Sequence, residues 1–192
     1  MDLTTLSSDD TPDRIRRLCN KARQPLRPEL IESLGLSALK PRVGAVCVYH
    51  AYVETAVDAL KKTGIPVAAV STGFPHGLNS MPRRIEEIKD SLAAGAEEID
   101  IVITRAHVFS GNWKALYAEI SAFRKACGNA HLKTILGTGE LGTFRNVAKA
   151  SLVCMMAGAD FIKTSTGKES VNATLPVSLV MLRMIREYFE NT

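Results

Sequence analysis

Aromatic residues make up only 6% of the 192 residues, so the chain offers no stripe of stacking surfaces for nucleic-acid bases. Charge of one sign is also scarce. A formal excess of +4 is too weak and too evenly spread for a nucleic-acid footprint, although it suits a small anionic substrate. Cysteine occurs four times, at Cys19, Cys47, Cys127 and Cys154, with no C-x-x-C pair. That pattern reads as reduced thiols packed as small hydrophobes in a cytoplasmic protein. The four histidines, His50, His76, His107 and His131, lie far apart without metal-ligand spacing, so no metal is expected. No apolar run approaches the roughly 20 residues of a membrane span, and the opening MDLTTLSSDD is not a signal peptide.

What the sequence does have is an alternation. Short β-branched apolar runs, VGAVCVY (43–49), IPVAAVS (65–71), EIDIVIT (98–104), HLKTILG (131–137) and ADFIKTS (159–165), each precede a stretch with apolar residues at helical spacing. LTTLS (3–7) and TPDRIRRLCNKA (11–22) form the first such unit, with Thr11 as helix N-cap and Pro12 at the first helical position. Gly64, Gly95 and Gly128 stand where helices should end. The last helix, TLPVSLVMLRMIREYF (174–189), places Val177, Val180, Met181, Met184, Ile185 and Tyr188 on one side. Six βα units follow, with residues 24–40 as a longer insertion. Strands alternating with helices imply a parallel sheet with right-handed crossovers. Apolar runs without polar alternation imply strands covered on both faces. Both an open doubly wound sheet and most of a (β/α)8 barrel fit; a full barrel needs eight units.

In either architecture chemistry gathers at the carboxyl ends of the strands. Asp100, Lys133 and Lys163 each sit inside an apolar strand, on three successive strands. A buried charge is costly unless paired, so an internal ion pair is the plain explanation for one of them. An acid and two amines together point to chemistry. A lysine crowded by another cation in an apolar setting releases its proton more readily, and a free amine is the nucleophile of Schiff-base catalysis. A neighbouring carboxylate moves protons. The segment STGK (165–168) raises a nucleotide-binding P-loop as a rival, but G-x-x-x-x-G-K-[ST] needs Gly at Ile162 and Ser or Thr at Glu169. The rival fails at both positions. Thr166-Gly167-Lys168 still makes a turn after a strand, suited to a phosphate monoester.

The motifs DFIKTSTGK, EIDIV, HLKTIL with TGEL, MDLTTL, GFPHG and VCVY, in this order across essentially the whole chain, resemble the 2-deoxyribose-5-phosphate aldolases. These are class I, Schiff-base aldolases, and the wording here is closest to their eukaryotic branch. The resemblance implies a (β/α)8 TIM barrel and a single barrel domain over residues 1–192. It implies reversible cleavage of a small phosphorylated sugar, with no metal and no organic cofactor, no nucleic-acid or membrane partner, and a possible homo-oligomer. Lys163 matches the Schiff-base lysine and Asp100 the proton-relay aspartate. Lys133 matches a second strand lysine that tunes charge. Thr166, Gly167 and Lys168 match the phosphate-seating turn, and Asp2 and Cys47 match further substrate-pocket positions.

Two departures stand out. His50 replaces a usual proline after VCVY. Family members also continue into a seventh strand, G-F-K-P-A-G-G, which carries an activating lysine, and an eighth with a G-A-S turn; neither motif occurs here. The expectation is therefore a barrel shortened at its C-terminus, with two exposed sheet edges that invite association. The alternative reading is a catalytically impaired partial barrel acting only as a folded fragment or interaction partner.

Overall fold

The computed structural model describes residues 1–39 and 41–192. The chain divides into two compact units, Met1–Val70 with Ser91–Glu98, and Ser71–Asp90 with Ile99–Thr192. In the first unit, β1 (Leu3–Thr4), β2 (Val46–Tyr49) and β3 (Val67–Ser71) lie side by side in chain order, all parallel. The register sets Thr4 beside Cys47, and Cys47 beside Ala68. Helices α1 (Pro12–Arg23) and α3 (Val53–Leu60) pack together over them through Ile15, Cys19, Val53 and Ala56, all fully buried. Helix α1 starts where the sequence signals it. The Thr11 hydroxyl accepts from the Arg14 N–H, Pro12 fills the first helical position, and Asp13 faces the positive end of the dipole.

In the second unit, β4 (Glu98–Val102), β5 (His131–Ile135) and β6 (Phe161–Lys163) follow one another in sheet order. Strand β4 is buried along its whole length. Helices α4 (Met81–Ala93), α6 (Trp113–Cys127), α7 (Phe144–Met156) and α8 (Leu175–Asn191) supply the covering layer, with Leu116, Ile120, Phe123 and Ala150 among the fully buried residues. Threonine N-caps open both α7 and α8: Thr143 accepts from Asn146 N–H and Thr174 from Val177 N–H.

The structure departs from the sequence reading in four places. Helix α3 ends at Leu60, four residues before Gly64: Lys61 leaves the helical region at ψ 135°, Lys62 takes φ +63°, and Thr63 closes the end by donating its N–H and its hydroxyl to Leu60 O. A one-turn helix, α5 (Arg105–Phe109), precedes α6; it is too short to show a period. Another short helix, α2 (Pro28–Ser33), lies within the expected insertion, whose last residue, Lys40, is outside the described residues. On α8 the buried stripe is Val177 and Met181, with Met184 and Tyr188 half-buried, whereas Ile185 is 43% exposed. A spacing of four then three residues fixes the stripe, and Ile185 falls outside it.

Candidate active site

Strand β4 carries Asp100 at its centre, fully buried. Strand β5 carries Lys133, 6% exposed, and β6 ends on Lys163. The parallel register places Lys133 opposite Phe161 and Ile135 opposite Lys163. The three charged side chains meet on one face of this sheet. Lys163 Nζ donates to Asp100 Oδ2 at 2.5 Å, and Lys133 Nζ stands 3.8 Å from Asp100 Oδ1. One buried carboxylate is thus shared by two amines. Lys133 Nζ also lies 5.7 Å from the centre of the Phe161 ring, whose face attracts a cation. The Lys163 side chain is 30% exposed and the Asp100 side chain fully covered. Of the three, Lys163 is the group an incoming molecule can reach most readily, and Asp100 is placed to exchange a proton with it.

Two further structures hold these strands in place. Arg84, 3% exposed, donates to the carbonyls of Thr72 and Val102, to Thr104 Oγ1 and to Glu119, at 2.6 to 3.1 Å. Glu119 in turn accepts from Thr104 N–H at 2.9 Å. This closed network ties the end of β4 to α4 and α6, and Arg84 also stacks 4.7 Å above the Phe123 ring. On the far side, Asp160 Oδ2 accepts from Leu132 N–H at 2.8 Å and pairs with Arg124 at 2.6 Å. Its own N–H donates to Leu132 O. The β5–β6 register, and with it the height of Lys163 beside Ile135, is pinned there.

Beyond β6 the chain makes a tight turn. Thr166 N–H and Oγ1 both donate to Glu169, and Lys168 N–H donates to Thr166 Oγ1 at 3.1 Å. Gly167 sits at φ +80°, a region that a side chain resists. The N–H groups of Thr166 and Lys168 are therefore engaged within the turn, which presents the exposed Gly167 and Lys168 outward. Burial raises the Glu169 carboxyl, but the Thr166 hydrogen bonds and the charge of Arg105 pull it below its ordinary value overall. Asp2 and Cys47 belong to the first unit. Asp2 Oδ1 lies close against Gly44, and Cys47 is fully buried in β2.

Residues 1–189 match the family described as DeoC/LacD family aldolase. The chain belongs to that family. It is 58% identical to the deoxyribose-phosphate aldolase of Mus musculus over its whole length, and spans 61% of that relative. A candidate deoxyribose-phosphate aldolase from Coccidioides immitis superposes with a TM-score of 0.83 at 30% identity, over 97% of this chain and 66% of the other. The tetrameric deoxyribose phosphate aldolase of Aeropyrum pernix gives 0.78 at 23% identity, over 97% and 71%, and shares the fold. The architecture is that of the (β/α)8 barrel, of which this chain carries six βα units.

Against this family frame, several residues that shape the site gave little signal in the sequence. Arg84 lies on a helix rich in charge and reads as solvent-facing. Asp160 falls inside the run expected as the last strand, ADFIKTS, with nothing local to name its partners. Arg105, in the one-turn helix α5, and Gly137 and Glu140, after β5, have partners distant in the chain. The only hint was TGEL, which recurs in the family pattern without a role attached.

Proposed function

We propose that this chain carries the Schiff-base machinery of a class I lyase. The reaction is the reversible cleavage of 2-deoxy-D-ribose 5-phosphate to glyceraldehyde 3-phosphate and acetaldehyde. The observation that supports it best is the buried carboxylate shared by two lysines, Asp100 between Lys163 and Lys133. The mouse relative's name supports the substrate.

Lys163 Nζ, having passed a proton toward Asp100, attacks the aldehyde carbon and gives a carbinolamine. Loss of water, assisted by proton return from Asp100 through a water molecule, gives the protonated imine. A base removes the proton of the C3 hydroxyl. The C2–C3 bond breaks, its electron pair flows into the iminium to form an enamine, and glyceraldehyde 3-phosphate leaves. Protonation of C2 and hydrolysis of the imine release acetaldehyde and restore the amine. Lys133, beside Asp100, tunes the charge there, while Gly167 and Lys168 seat the phosphate and Thr166 braces their turn. Asp2 and Cys47 are assigned to the substrate pocket. The proposed enzyme works in the cytoplasm as a homo-oligomer.

Borohydride trapping tests this. The protein is incubated with acetaldehyde and sodium borohydride near neutral pH, digested, and searched for ethylated lysine by mass spectrometry. Selective modification at Lys163, abolished in Lys163→Arg and slowed at least about a hundredfold in Asp100→Asn, is the expected result. Uniform slow labelling of surface lysines, or none, overturns the proposal and leaves a folded fragment without the chemistry.

A further inference from the structure

The loop after β5, residues 137–142, takes no part in the reaction as described, yet it is built against the turn after β6. Thr138 N–H donates to Thr164 O at 2.8 Å, and Leu136 N–H to Lys163 O at 2.9 Å. A methyl group on Gly139 would fall 1.9 Å from Val171 O, so the two backbones touch there. A methyl group on Gly137, at φ +68°, would lie 2.7 Å from Arg105 Nη1 and 3.2 Å from Glu169 Oε1. The bare face of Gly137 is where these two side chains converge. Arg105 comes from α5, after β4, and its other nitrogen, Nη2, pairs with Glu140 Oε2 at 2.8 Å. Arg105 is largely covered, with 13% of its side chain exposed.

The chemistry of this arrangement is specific. Glu169 takes both the N–H and the hydroxyl of Thr166 and so fixes the turn. It also puts a carboxylate behind a seat meant for an anion, where like charges repel. The guanidinium of Arg105 meets that carboxylate on the bare face of Gly137 and balances it. Two glycines in GTGEL are what let the guanidinium and the Val171 backbone come that close.

We infer that Arg105 and Glu169, meeting on the bare face of Gly137, are positioning residues that hold the Thr166–Lys168 turn in the shape that receives a phosphate monoester. The inference rests on the phosphate-seat reading of that turn. Neither side chain touches the reacting carbon. They act through Thr166 and Lys168, so their loss weakens recognition of the phosphate and leaves the Lys163 amine intact.

The test uses inorganic phosphate as the probe on the whole chain. Acetylation of Lys168 by acetic anhydride is followed by mass spectrometry, with and without phosphate, together with amide hydrogen exchange of the Thr166–Lys168 peptide. In the unaltered protein phosphate slows acetylation of Lys168. In Arg105→Ala and Glu169→Ala that protection is lost, and exchange in the turn rises about tenfold. Arg105→Lys keeps the charge and retains most of the protection. Acetaldehyde trapping at Lys163 stays within about threefold of the unaltered protein in all three variants. Equal loss of trapping and protection, or unchanged exchange in the turn, overturns the assignment. Absence of trapping in the unaltered protein refutes the aldolase reading, while the exchange and protection measurements still decide the role of Arg105 and Glu169.

Discussion

Single residues in this protein are defined by what covers them. Asp100 and Lys133 have almost no exposure, so the carboxylate depends on the two amines, and Lys133 on the carboxylate, for its charge to be tolerable. The cysteines show the same principle with the opposite sign. Burial pushes the thiols of Cys19 and Cys127 up to about 11 and that of Cys154 up to about 12. At pH 8 a thiol at 11 is about one part in a thousand thiolate, and the thiolate is the reactive form. Iodoacetamide at pH 8 should therefore leave these three cysteines unmodified in the native protein and label them in urea; rapid native labelling of any of them contradicts the packing. Linkage follows. Above the ordinary thiol value, near 9, the unfolded chain releases protons that the folded chain keeps. Stability therefore falls as pH rises from about 9 toward 11 and 12.

At the scale of elements, the site is a matter of register. Strand β6 has only three residues, and its height against β5 decides whether Lys163 reaches Asp100. A one-residue slip in a strand turns every side chain to the other face. Asp160 guards against this by accepting from Leu132 N–H while held by Arg124. Asp160→Ala should cost about 1–2 kcal/mol in urea unfolding, because it leaves a strand N–H without its charged acceptor at a half-covered position. It should also slow trapping at Lys163. Asp160→Asn, which can still accept from Leu132, should lose less. Equal stability of the alanine variant and the parent would show that the ladder alone sets the register. The element scale is also where sequence reading was weakest. Gly64 looked like a helix end, but Thr63 caps the carbonyl of Leu60 and Lys62 turns to φ +63°, so α3 stops at Leu60.

At the scale of the molecule, α8 has a second apolar stripe. Leu175, Leu179, Leu182 and Phe189 are between 50% and 89% exposed, on the side away from Val177 and Met181. Strand β6, the last strand in the sheet order of its unit, leaves Phe161 51% exposed as well. Exposed apolar patches and open strand edges promote association. Sedimentation velocity should show a concentration-dependent dimer or larger species, in keeping with the homo-oligomer proposed above. The double substitution of Leu182 and Phe189 by lysine should shift it to monomer without lowering the melting temperature. A monomer with a cooperative melt at every concentration would exclude this self-association.

The alternation of apolar runs and amphipathic stretches determined the six βα units, because local periodicity decides strand or helix wherever both faces of a strand are covered. The apolar flanks of Asp100, Lys133 and Lys163 marked them as paired or reactive before any contact was known, since a buried charge without a partner is too costly to keep. Thr11 and Pro12 set the start of α1 for reasons contained in a few consecutive residues. What the sequence could not decide were distances between groups far apart in the chain. Only the fold gave Asp100 to both lysines, closed Arg84 on Glu119, and laid Gly137 and Gly139 against Arg105, Glu169 and Val171. Those contacts join residues from 32 to 63 positions apart, 133 to 100, 119 to 84, 137 to 105 and 163 to 100. Long-range pairing depends on how the strands and loops pack together, which no window of local pattern contains.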